Sequence, residues 1–192
     1  MNEAAAVLPL SFADYIALEE RSTVKHQMMH GELFDMAGGT PTHARLSFGV
    51  CTALGPQLKN RRCHAYTSDL RVRAGELTTY PDVTVVCGRL ECDPEDPNTV
   101  VNPTLIVEVL SDSTEAFDRG EKFAQYRTVP TLREYVLVSQ HRARIEVFTH
   151  NENGWTLRDA NAGQRIEVAS IGCVIDVDEV YAGVFEQSAE PT

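Results

Sequence analysis

Residues 104–110, TLIVEVL, place one acid, Glu108, inside an apolar run that reads as a strand. Side chains alternate across a strand, so Thr104, Ile106, Glu108 and Leu110 share one face, and Leu105, Val107 and Val109 the other. No neighbour in the run carries a positive charge. An ionised carboxylate buried alone would sooner take up a proton, and a cation or a positive side chain removes that cost. A second acid, Asp82, opens another apolar run directly after Pro81. Carboxylates on adjacent strands can converge on one hard cation, with water and a backbone carbonyl completing the oxygen shell. Magnesium or manganese suits such ligands, whereas zinc more often recruits cysteine or histidine.

Lys122 is the third candidate. It follows Asp118 by four residues, on a helical stripe that continues to Tyr126. A helix packed back across the sheet would aim Lys122 at the strand end bearing the acids. An ammonium there could stabilise charge developing on phosphorus or help position an attacking water. Plainer readings stay open for each residue. Asp118 and Lys122 could form a surface ion pair worth about a few tenths of a kcal/mol. Asp82 could cap a turn, and Glu108 could be a core acid paired with an arginine.

The elements that would position these groups follow from periodicity. The run 11–20 predicts a short helix, with Ser11 and Asp14 spaced as a capping box. Residues 31–37 read as a strand broken by the following glycines. A second helix is predicted from Thr42 to about Asn60, with Pro56 kinking or shortening it. Strand-like runs follow at 64–73, 82–87 and 104–110, then a helix over 115–127. Further strands are expected at 134–139, 143–149, 155–158 and 165–168. The strand–helix–strand order predicts an α/β sandwich, a mixed central β-sheet flanked by helices, with a right-handed crossover and extra β decoration. Residues 1–187 read as one domain and 188–192 as a flexible tail.

Composition narrows the function classes. With 43% hydrophobic and 23% charged residues, the chain has the balance of a globular protein and not of a disordered one. No apolar run is long enough to span a membrane, and the amino terminus lacks the pattern of a secretory signal, so a cytoplasmic location is expected. The five cysteines are odd in number and form no C-x-x-C pair, which predicts free thiols and no disulfide framework. The net charge of −11 argues against a broad basic face for nucleic acid. Local basic groups at Lys59-Asn60-Arg61-Arg62, at Arg71 with Arg73, and at Arg142 with Arg144 read as solvated surface. His26 and His30, without a third ligand, make no metal site.

The segment PDVTVVCG, followed by PTLIVEVLSDSTEAFDRGEKFAQYRTVPTLREYVLVSQHRARIEVF, resembles the restriction endonuclease (Uma-two-like) family of the PD-(D/E)xK nuclease superfamily. The resemblance runs from about Ser11 to Phe148 and is densest from Pro103 to Val138. It implies a restriction-endonuclease-like sandwich around a four-stranded mixed sheet, with Asp82 and Glu108 as the metal-binding acids. The superfamily's lysine usually stands two residues after the glutamate, where this chain has Leu110; Lys122 looks like its migrated replacement. Glu32, His43 and Asp69 also resemble family positions and could be accessory groups, as could Asp118. The expected function is Mg- or Mn-dependent endonucleolytic cleavage of phosphodiester bonds, with DNA as the nucleic-acid partner and a homodimer or higher homo-oligomer as the assembly. The alternative is a catalytically weak or inactive nuclease-fold module, acting as a homo-oligomeric or accessory protein. The acidic surface favours that alternative, and the intact acid–acid–lysine set opposes it.

Overall fold

The computed structural model describes residues 9–36 and 38–185. Ser11 starts α1 (Phe12–Glu19), its hydroxyl accepting from Asp14 N–H at 3.1 Å while its own N–H donates back to the Asp14 carboxylate. The hairpin β1 (His26–Met29) and β2 (Glu32–Asp35) follows. Ala37, the last residue of the strand expected there, lies outside the described residues, as does the expected tail. The second helix, α2 (Pro41–Leu58), begins with Pro41 in its first turn and Thr40 capping His43 N–H at 3.1 Å. Pro56 sits in the last turn, where the helix survives it. Leu46, Val50, Leu54 and Leu58 recur every four residues and are all buried.

Next come β3 (Cys63–Thr67), β4 (Arg71–Ala74), β5 (Leu77–Thr79), β6 (Val83–Cys87), β7 (Cys92–Asp93), β8 (Asp96–Val100) and β9 (Leu105–Val109). The single helix expected over 115–127 is three pieces: α3 (Glu115–Phe117), a π-helical turn (Asp118–Lys122) and α4 (Phe123–Tyr126). Then follow β10 (Glu134–Val138), β11 (Arg144–Asn151), β12 (Gly154–Asn161), β13 (Arg165–Val168), β14 (Cys173–Asp176) and α5 (Val177–Tyr181).

One six-stranded sheet has the order β12-β11-β10-β9-β6-β3, and a second has the order β2-β1-β5-β4-β8-β7. In the first, β9 pairs antiparallel with β6 and parallel with β10. The parallel pair requires a crossover, which the helical segment 115–126 supplies. Both faces of this sheet are covered. On one side Leu105, Val107 and Val109 pack with the α2 leucines, β13, β14 and α5. On the other, Ile106, Leu110, Tyr135 and Leu137 pack with Phe123, Tyr126 and the second sheet's Val72, Ala74 and Leu77. The result is a mixed α/β sandwich, with the acid-bearing strand β9 at its centre.

Several expectations need correction. The central sheet has six strands, because β3 and β12 extend the four that the resemblance implies. The run 64–73 is two strands in different sheets, separated by a turn closed by Leu70 N–H to Thr67 C=O. Two of the cysteines are not free. The β3–β6 register sets Cys63 opposite Cys87, and the two form a disulfide; Cys51, Cys92 and Cys173 stay reduced. Strand pairing across 24 residues creates that proximity, and cysteine spacing does not reveal it. Arg71 is not solvated either: it is buried, 2.9 Å from Asp96.

Leu54, fully buried between α2 and the sheet, tests this packing. Leu54→Ala is expected to destabilise the fold by about 2–5 kcal/mol in urea denaturation. A loss below about 1 kcal/mol would mean that α2 does not cover the sheet as described.

Candidate active site

Position 82 immediately precedes β6. The antiparallel register pairs Val83 with Val107 and Thr84 with Ile106, so one further step sets Asp82 against Glu108. Glu108 is the only acid in the wholly buried strand β9, on the face shared with Ile106. Asp82 is held by two donors: Val109 N–H reaches Oδ2 at 2.7 Å, and His43 Nε2 lies 2.7 Å from Oδ1. Gln140 Nε2 is 3.3 Å from His43 Nδ1, a network that assigns the imidazole proton to Nε2. The α2 cap at Thr40 thus fixes His43, and His43 fixes Asp82.

Glu108 Oε1 takes two contacts, the Tyr126 hydroxyl at 2.7 Å and Lys122 Nζ at 2.9 Å. Among the described residues, Oε2 has no hydrogen-bond partner. Lys122 Nζ also lies 3.1 Å from Asp118 Oδ1. That contact is an ion pair whose angle falls outside hydrogen-bond geometry, so Asp118 Oδ1 is a buried oxygen with no hydrogen-bond donor. Asp118 and Lys122 are 2% and 6% exposed, which rules out a solvent-screened surface pair. The Tyr135 hydroxyl donates to Asp118 C=O at 3.1 Å, tying the π turn to the sheet.

Electrostatics follow from this crowding. Burial pushes the Glu108 carboxyl up to about 7, Lys122 opposes the shift, and Asp118 and Asp82 reinforce it. For Lys122, burial alone would favour the neutral amine, but Glu108 and Asp118 overcome it and hold the ammonium above its usual range. His43 is raised as well, chiefly by its hydrogen bond to Asp82. Tyr126, buried against Glu108, stays a phenol.

The structure therefore gathers Asp82, Glu108, Asp118, Lys122 and His43 into one cluster. It does not bring in Glu32 or Asp69. Glu32 is exposed on β2 in the other sheet, and Asp69 is an exposed partner of Lys25 at 2.7 Å. Sequence reasoning left Tyr126 on the stripe without a role and missed Gln140 and the Val109 N–H. The i+4 step from Lys122 was the available signal for Tyr126; the others are set by tertiary pairing alone.

Among the described residues, no three His, Cys, Asp or Glu side chains form a ready cation cage. The donor chemistry nonetheless fits a hard divalent ion. Glu108 and Asp118 both contact Lys122 and Asp82 lies opposite Glu108 in register, Glu108 Oε2 lacks a hydrogen-bond partner, and Asp118 Oδ1 accepts no hydrogen bond.

The raised Glu108 sets a pH test. Its folded pKa, about 7, exceeds the ordinary 4.5, so its stabilising contribution is complete below about 4.5 and is lost as pH rises through about 7. The stability of the wild type relative to Glu108→Gln is therefore expected to fall between about pH 5 and pH 8 in denaturant titrations. A flat difference would contradict a buried, carboxylate-crowded Glu108.

Residues 12–178 match the family described as Uma2, putative restriction endonuclease. Two proteins of Synechocystis sp. are similar over most of their length. The uncharacterized protein slr1290 is 36% identical over 181 residues, 91% of this chain and 93% of the relative. The uncharacterized protein sll1609 is 34% identical over 162 residues, 83% of this chain and 91% of the relative. The crystal structure of a putative nuclease belonging to DUF820 from Anabaena variabilis superposes with a TM-score of 0.75, covering 92% of this chain and all of that one. At 14% identity, that likeness shows a shared nuclease-like fold. With residues 12–178 of the 192 matched, the chain belongs to the Uma2 family, described as putative restriction endonuclease.

Proposed function

We propose that the protein is a divalent-metal-dependent endonuclease that hydrolyses phosphodiester bonds in DNA, with Asp82, Glu108 and Lys122 as its working residues. One observation carries the reading: a buried glutamate, a neighbouring-strand aspartate and a buried lysine meet in a family of nuclease fold. A core role alone gives little reason to bury Glu108 and Asp118 on one lysine with Asp82 alongside, since apolar residues of the same volume are often at least as stabilising as an interior ion pair.

Asp82 and Glu108 would hold the cation, magnesium or manganese by their hard oxygens. When bound, such an ion supplies Lewis acidity toward a phosphate and a water of lowered pKa. Val109 N–H and His43 orient the Asp82 carboxylate, and Tyr126 orients Glu108. Glu108 must give up its proton to act as a ligand, which its raised pKa allows near neutrality. Lys122 keeps its charge and places an ammonium where negative charge develops on the reacting phosphate. Asp118 keeps that ammonium in place.

One observation favours a second reading, a nuclease-fold module without turnover: Lys122 and Tyr126 already satisfy Glu108 Oε1 from within the protein. Plasmid cleavage separates the two. In manganese, the wild type is expected to nick and linearise supercoiled DNA. Asp82→Ala, Glu108→Gln and Lys122→Met should each lose about a hundredfold or more, and chelation should abolish the activity. Cleavage by Asp82→Ala equal to that of the wild type would overturn the assignment.

A further inference from the structure

Beside the acid cluster lies a cleft of about 280 Å³, lined by Glu115, Arg119, Arg142, Arg144 and Glu146 with Ser139 and His141. It is contiguous with the candidate site through two elements. Arg119 directly follows Asp118 in the π turn. The turn between β10 and β11 presents Gln140 to His43 while its neighbours Ser139, His141 and Arg142 line the cleft.

The floor of this cleft is a pair of arginines held by one acid. Buried Glu146 receives Arg119 Nη1 at 2.6 Å on Oε2 and Arg144 Nη2 at 2.9 Å on Oε1. Arg119 Nε also reaches Glu115 at 2.7 Å. Arg144 Nε is buried without a hydrogen bond, although Asp159 Oδ2 lies 3.1 Å away. Arg142 is exposed and has no ion-pair partner among the described residues. The lining holds three guanidiniums, Arg119, Arg142 and Arg144, against two carboxylates, Glu115 and Glu146, and the ion pairs of Arg119 and Arg144 have already spent those side chains' entropy. Their remaining forked N–H groups suit the oxygens of a phosphate.

The longer basic run at 59–62 is a weaker rival. There Arg61 is consumed by the carbonyls of Ile171 and Gly172, and the run follows the far end of α2 from His43.

We propose that this arginine cleft seats the sugar–phosphate backbone of the DNA strand next to the cleaved bond, with Arg142 as its outermost contact. The proposal rests on the nuclease reading above. It also bears on the charge difficulty: in a protein of net charge −11, phosphate contacts need a local excess of arginine beside the acids, and the lining has three arginines against two glutamates.

Fluorescence anisotropy with a labelled 20-base-pair duplex, in calcium and across a sodium chloride series, tests it. Arg142→Glu should weaken binding roughly tenfold or more and reduce the slope of log affinity against log salt by about one contact. Arg119→Gln, checked for folding by thermal denaturation, should do likewise. Lys59→Glu, an equal charge change at the rival run, should leave both quantities at wild-type values. Manganese titration should be unaltered by Arg142→Glu. If both cleft variants bind like the wild type while the wild type still cleaves plasmid, the strand lies elsewhere and the nuclease reading survives. If the wild type neither binds nor cleaves DNA, both fall.

Discussion

The structure depends on one contact, the Lys122 ammonium against the Glu108 carboxylate, 2.9 Å apart and shut off from solvent. A lone charge in the middle of β9 would be untenable beside Ile106 and Leu110. The contact reaches between the sheet and the crossover segment, so it constrains both. Segment 115–126 must pack against the sheet face that bears Glu108, and the π turn must bring Asp118 and Lys122 in together. A packed aromatic group, with Phe123 stacked on Tyr135 and Tyr126 tilted against it, holds that segment down and leaves Lys122 little freedom to withdraw.

The antiparallel register between β6 and β9 is the second constraint. A slip of one residue would turn Asp82 to the opposite face, among the α2 leucines. The apolar residues on both faces of the sheet penalise such a slip, because Val83 and Val107 would leave their core for the other. Stability and site geometry are therefore the same fact here. The Cys63–Cys87 disulfide fixes the register of β3 on β6 and reinforces the strand that Asp82 directly precedes.

Much of this was legible in the chain itself. The alternation in 104–110 sorts Leu105, Val107 and Val109 to one core and Ile106 and Leu110 to the other, as the structure has them. The cap at Ser11 and the four-residue recurrence from Leu46 to Leu58 are local signals, and local physics decides them. What stayed hidden is set by pairing between distant segments. Strands such as β7 and β8 carry too few apolar residues to show a period, and Asp96 anchors the second by binding Arg71 instead. At the site, His43 and Gln140 are 97 residues apart, and no spacing rule links them. Glu32 and Asp69 stood out by resemblance and lie elsewhere, because β2 and the β3–β4 turn belong to the periphery.

Calorimetric titration with manganese at about pH 7.5 probes the central idea most directly, since it reads the acids without requiring turnover. A wild type with one saturable site, and an Asp82→Ala variant at least about tenfold weaker, is the predicted result. Proton uptake by the buffer should accompany binding to the wild type, as Glu108 sheds its residual proton. A wild type that takes up no manganese, or an Asp82→Ala variant that binds it equally well, would show that the cluster is held together by Lys122 alone and has no place for a cation.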